Sequence, residues 1–277
     1  MQQRSGVSRH INILEVDIAG DRARLAYDLS GPEEGFHVLL LHGWGSSRAI
    51  MRPMAGSLSD TYRVINVDLP GHGNSPAPAS PWGVGEHVDA VRQLLDQLGV
   101  GSFALFAHSN GGRIALYLAS ESPPPPNLRK LILISPSGVR RRRTSVFYIR
   151  RGLAAVLKTP FHVLPKRARE FGLDWLRHSL VWKMLGSSDY RSLEDVMRDT
   201  FVKTVNCYLE DRLGLVRVPV LLLRGSRDDT VGDEQMQIIE SSVPDAGLFT
   251  IDGAGHYAHL DRPDVVLTAA KHFLSEF

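Results

Sequence analysis

The chain has 277 residues, 43% hydrophobic and 22% charged, with a formal net charge of +2. This apolar content excludes disorder, and 25 Gly with 16 Pro in no period exclude collagen-like or low-complexity structure. The lone Cys207 excludes an internal disulfide and a cysteine-based zinc cluster. The start, from Met1 to Glu15, has no apolar run fit for a signal-peptide core. Later apolar runs, such as residues 38–41 and 218–223, fall far below the roughly 18 residues that span a bilayer. The expectation is a soluble, cytoplasmic protein.

Strand-length apolar segments at 10–18 and 22–29 flank Ala19-Gly20-Asp21 and predict an antiparallel hairpin. Further strands are predicted at 36–42, 62–69, 102–108, 128–135, 218–225 and 247–252, with the continuous Val/Leu/Ile content of a sheet covered on both faces. Helical patterns lie between them at 48–58, 85–98, 111–121, 233–242 and 263–277, and Pro123 to Pro126 close the third of these. Strand alternating with helix predicts an α/β fold, a mostly parallel eight-stranded sheet with helices on both faces. The alternation breaks once. Residues 139–215 carry helix-like patterns but no convincing strand, which predicts a helical cap inserted into a core of 1–138 and 216–277, over the sheet edge where α/β proteins bind ligands.

Charge follows the same division. Residues 139–185 hold twelve basic and two acidic side chains, +10, against −8 for the remainder. Such an asymmetry fits a solvated lid surface, contact with anionic lipid or an interface, or an anionic substrate group. Nucleic acid is not expected, because Arg140 to Arg143 form a short run with no binding fold around it.

The segment Leu105-Phe-Ala-His-Ser109-Asn-Gly-Gly-Arg-Ile-Ala runs from an apolar strand directly into a helix. A serine in so tight a turn needs small neighbours two positions away, here Ala107 and Gly111, and it receives the helix's N-terminal amides and dipole. A plain N-cap serine with packing glycines is the alternative. The segment resembles the nucleophile elbow of the α/β-hydrolase superfamily, with Ala107 in place of the first glycine of G-x-S-x-G. A serine nucleophile needs a base, and the base an orienting acid. His256, in Asp252-Gly-Ala-Gly-His-Tyr-Ala-His259, is the candidate base, and Asp228, in Arg224-Gly-Ser-Arg-Asp-Asp-Thr-Val231, the candidate acid. Their order after Ser109 is that of α/β-hydrolases. Asp229 is a second possible acid, but the resemblance places the acid three residues after the glycine. No carboxylate stands near Ser135, the position some members use. His259 forms an H-x-x-H pair with His256 without a further ligand motif, so no metal is expected.

The segment Leu39-Leu-Leu-His42-Gly43-Trp44-Gly45 resembles the superfamily's H-G-x loop, which implies oxyanion donors at the backbone N–H groups of Trp44 and Asn110 and a bracing role for His42. Asp68 and His72, in the turn with Pro70, Gly71 and Gly73, are structural by the same resemblance. The likeness covers residues 10–138 and 216–277. It implies a serine hydrolase of the carboxylesterase kind, acting on a small or medium-sized ester through an acyl-enzyme, without cofactor. Relatives that hydrolyse C–C or amide bonds, and non-catalytic receptors of the same fold, are the alternatives.

Overall fold

A computed structural model describes residues 11–141 and 195–275. Its eight-stranded sheet has the order β1-β2-β4-β3-β5-β6-β7-β8, with β1 Asn12–Ile18, β2 Asp21–Ser30, β3 His37–Leu41, β4 Arg63–Val67, β5 Phe103–His108, β6 Leu128–Ile134, β7 Val220–Gly225 and β8 Ala246–Ile251. β1 pairs with β2, and β2 with β4, antiparallel, whereas every other pair is parallel. Ala19 and Gly20 make the predicted hairpin turn, at φ 54° and 84°. Two consecutive positive φ values match the right-handed twist of the flanking strands.

Period-two alternation places successive strand residues on opposite faces. Leu39, Leu41, Leu105, Ala107, Leu131 and Leu133 meet Val88, Leu94, Ile114 and Leu118 of helices α2 (Val84–Gln97) and α3 (Asn110–Ala119). On the other face Val38, Leu40, Phe106, Ile132 and Ile134 meet Met51, Leu58, Val266 and Ala270 of α1 (Arg48–Leu58) and the C-terminal helix Pro263–Ser275. Burial on both faces is why these strands are continuously apolar rather than alternating.

Two strands are shorter than their apolar runs suggest. β4 stops at Val67 because the Asp68 carboxylate accepts from Arg48 N–H (2.7 Å) and Asn74 N–H (2.8 Å), while Leu69 N–H donates to His42 Nε2 (2.9 Å). β7 begins at Val220, after Pro219, which has no N–H to give the ladder.

Residues 142–194 of the predicted cap, with most of the basic cluster, lie outside the described residues. The part of 139–215 that is described is fastened to the sheet domain. Helix α4 (Asp195–Val205) accepts Trp82 N–H on Thr200 Oγ1 at 3.1 Å, and its Thr204 carbonyl takes a hydrogen bond from buried Arg113 of α3. Leu209 N–H donates to Gly138 O at 2.8 Å, and Leu209 and Leu213 are buried in the same core as α2 and α3. Among the described residues the remaining α-helices are α5 (Asp233–Ser242), the unpredicted short α6 (Ala258–Asp261) and α7 (Pro263–Ser275). Among the described residues no helix is long and apolar enough to cross a membrane.

Candidate active site

The C-terminal ends of β5, β7 and β8 carry Ser109, Asp228 and His256. Ser109 lies between β5 and α3 at φ 51°, ψ −110°, an unfavourable backbone for a residue with a Cβ. The turn holds because Ser109 N–H donates to Ile134 O (2.9 Å) and its carbonyl accepts from Ser137 N–H (3.0 Å). Room for it depends on Gly111, where a Cβ would come within 2.5 Å of the Leu41 carbonyl oxygen. The strain aims Oγ away from the sheet and toward His256.

His256 Nε2 is 3.1 Å from Ser109 Oγ, and its Nδ1 is 3.0 Å from Asp228 Oδ2. A carboxylate can only accept, so the imidazole donates from Nδ1–H and presents the Nε2 lone pair to the serine hydroxyl. Asp228 Oδ1 accepts from the N–H groups of Thr230 (2.8 Å) and Val231 (2.9 Å). Burial would raise the Asp228 carboxyl, but the His256 ring, the nearby Ser135 hydroxyl and the Val231 N–H outweigh it and hold the pKa down to about 2. The structure therefore brings Ser109, Asp228 and His256 into one chain of hydrogen bonds, and Asp229 is outside it. Among the described residues no group of three His, Cys, Asp or Glu is arranged to hold one.

The loop after β3 lies directly against this turn. A Cβ on Gly43 would come 2.9 Å from His108 Nδ1 and 3.1 Å from Ser109 Cβ, so glycine is what lets the loop just before Trp44 approach the serine turn this closely. Asn110, whose N–H is the other expected donor, is the first residue of α3. His42 is fully buried; its Nδ1–H donates to Gly43 O (2.7 Å) and its Nε2 accepts from Leu69 N–H (2.9 Å). Burial, then the neighbouring His72, pushes its pKa down to about 3, so it is a neutral strut.

Two residues that the sequence reading did not single out belong to the same edge. Arg224, buried near the end of β7, donates to Val231 O (3.2 Å), Asp233 Oδ1 (2.6 Å) and Asp228 O (3.4 Å), and so clamps the loop that carries Asp228. An arginine inside the apolar run Val220–Gly225 was the available signal. His108 donates from Nε2 to the His256 carbonyl at 3.0 Å; standing next to the serine was its only mark. A groove of about 270 Å³ lined by Phe103, Leu118 and Pro123 to Pro126 lies elsewhere, at the N-terminal ends of β5 and β6.

A serine hydroxyl facing an imidazole, backed by a carboxylate at the sheet's C-terminal edge, defines a class of fold and site. Residues 37–263 match the family described as alpha/beta hydrolase fold, and the chain belongs to it. A putative esterase/lipase of Haemophilus influenzae is 25% identical, over 86% of this chain and 83% of that protein. A pimeloyl-[acyl-carrier protein] methyl ester esterase of Neisseria meningitidis is 27% identical, over 88% of this chain and 96% of that protein. Among solved structures, a hydrolase from Pseudomonas aeruginosa superposes with a TM-score of 0.71 at 21% identity, over 98% of this chain and 100% of that one, a likeness of fold.

Proposed function

We propose that this chain is a serine hydrolase that cleaves carboxylic esters of small or medium-sized substrates through an acyl-enzyme. The observation that carries the reading is the hydrogen-bond chain from Ser109 Oγ to His256 (3.1 Å) and from His256 to Asp228 (3.0 Å). Relatives named esterases, similar over most of this chain, support the same reaction class.

In this scheme Ser109 Oγ attacks the ester carbonyl carbon as its proton passes to His256 Nε2. Asp228, held ionised, orients the ring and stabilises the imidazolium. The N–H groups of Trp44 and Asn110 receive the oxyanion, a contribution worth on the order of a hundred- to thousandfold in rate for each donor. The tetrahedral adduct collapses as His256 returns the proton to the departing alcohol. Water, deprotonated by the same nitrogen, then releases the acid and restores Ser109. The first proton transfer, from Ser109 Oγ to His256 Nε2, runs along a contact already formed in the free enzyme.

The test is hydrolysis of p-nitrophenyl esters from acetate to palmitate by wild type and Ser109→Ala. Turnover in the wild type should fall by several orders of magnitude in the variant, on the order of 10⁶-fold by comparison with other serine triads. The chain-length optimum then sizes the pocket. A variant that keeps most of the wild-type rate would remove Ser109 from the reaction.

A further inference from the structure

Nucleophile and base are far apart in the chain and in the sheet. Ser109 follows β5, His256 follows β8, and β6 and β7 lie between them. The base loop is well fastened to the acid loop: Ser226 N–H donates to Ile251 O (2.9 Å), Arg227 N–H to Ala254 O (2.8 Å) and Gly253 N–H to Ser226 Oγ (2.9 Å). To the nucleophile turn, among the described residues, the base loop has two hydrogen bonds. One is the Ser109–His256 contact at 3.1 Å, which the proposed reaction breaks at every turnover. The other joins His108 Nε2 to the His256 main-chain oxygen at 3.0 Å.

We propose that His108 is a positioning residue: its neutral imidazole is the permanent link that holds the backbone of His256 in register with Ser109 while the Ser109–His256 contact is broken. This rests on the serine-hydrolase reading. The carbonyl of His256 can only accept, so the His108 proton is on Nε2 and Nδ1 is bare. Nδ1 is buried against Gly43 with no hydrogen-bond partner. The ring is almost fully buried and cannot tilt away, because His256, Tyr257 and His259 pack around it with ring centroids 4.8, 4.9 and 4.8 Å off. One imidazole therefore touches the base loop and the loop after β3 while it is covalently joined to the nucleophile. Neutrality is part of the function. An imidazolium at this distance would oppose the charge that His256 must acquire, and burial, followed by the His259 and His256 rings, pushes the His108 pKa well below 6.5.

The experiment compares wild type, His108→Phe and His108→Gln on the best p-nitrophenyl ester. Phe keeps a flat ring without a donor; Gln places an uncharged N–H close to where Nε2 stands. The Phe variant should lose on the order of ten- to a hundredfold in kcat, as expected for sub-ångström misplacement of reacting groups, with KM changed less than about twofold. The Gln variant should recover most of that loss. A Phe variant with kcat within about twofold of wild type would overturn the proposal, as would Phe and Gln variants that fall equally. Nitrogen-15 ring spectra of the wild type test it without any variant. They should show His108 as the Nε2–H tautomer, uncharged, throughout the active pH range, and an Nδ1–H tautomer or titration near neutrality would overturn it. A wild type with no serine-dependent turnover, and no labelling of Ser109 by a fluorophosphonate, would overturn the hydrolase reading and this proposal together. An active wild type that is indifferent to position 108 overturns the proposal alone.

Discussion

Asp228→Asn swaps one carboxylate oxygen for an NH2 group with almost no change of shape, and the geometry dictates how the new side chain must sit. At Asp228 Oδ1, two N–H groups arrive at 2.8 and 2.9 Å, from Thr230 and Val231. An NH2 turned toward them would set a donor against two donors, so the amide oxygen must occupy that place. The NH2 then faces His256 Nδ1, which has to become an acceptor, and the ring proton moves to Nε2. Ser109 Oγ, 3.1 Å away, loses the acceptor for its proton. A wrong tautomer of this kind costs on the order of 10⁴-fold in kcat, about 5 kcal/mol of barrier. Stability should fall as well. The carboxyl is lowered from 3.8 to about 2, so its contribution is complete above pH 3.8 and is lost as the pH falls through 2. At neutral pH the variant should therefore be less stable by roughly 2 kcal/mol. The assays are ester turnover, urea unfolding at neutral pH, and nitrogen-15 spectra of the His256 ring. A variant with kcat within about tenfold of wild type, or one whose His256 still carries its proton on Nδ1, would refute the reasoning.

Two further outcomes follow from the packing. Gly43→Ala brings a Cβ to 2.9 Å from His108 Nδ1 and 3.1 Å from Ser109 Cβ, so the loop must retreat and take the Trp44 N–H with it. The expected loss is on the order of a hundredfold in kcat with little change in KM, measured by saturation kinetics, and wild-type turnover would move the oxyanion donor elsewhere. His42, His87 and His259 are buried, and burial first of all lowers their pKa values from 6.5 to about 3, about 4 and about 4. A histidine lowered by folding is protonated more readily in the unfolded chain, so its stabilisation is full above pH 6.5 and declines below it. Each approaches about 1.4 kcal/mol per pH unit, and together about 4, until the pH nears the folded values. Urea midpoints should drop steeply between about pH 7 and 5, and equal midpoints would contradict the buried neutral rings.

Much of this protein is legible in local pattern. The unbroken apolar content of strands such as Phe103–His108 signals burial on both faces, because a half-exposed strand would alternate. Helices Arg48–Leu58 and Asp233–Ser242 begin and end where their apolar periodicity does. Ser109 can be located because a strand running straight into a helix through small residues is a local geometric demand. The same holds for His256 and Asp228, each of which follows an apolar strand and a glycine.

Tertiary structure decided what local pattern does not encode. Val67 rather than Leu69 ends β4 because the Asp68 carboxylate and Leu69 N–H find partners in Arg48, Asn74 and His42, which lie elsewhere in the chain. Asp228 and not Asp229 holds the imidazole, since neighbouring residues in a loop point in different directions and only the fold shows which one faces His256. Arg224 reads as an anomaly in an apolar strand until the loop it clamps is folded back over it. His108 shows in sequence only its place beside the serine, because its partner is a carbonyl oxygen 148 residues away, and a main-chain oxygen is the same at every position. Residue type and spacing determined which chemistry this chain can carry; distance and direction between segments remote in sequence, set by the packed sheet, decided which atoms meet to perform it.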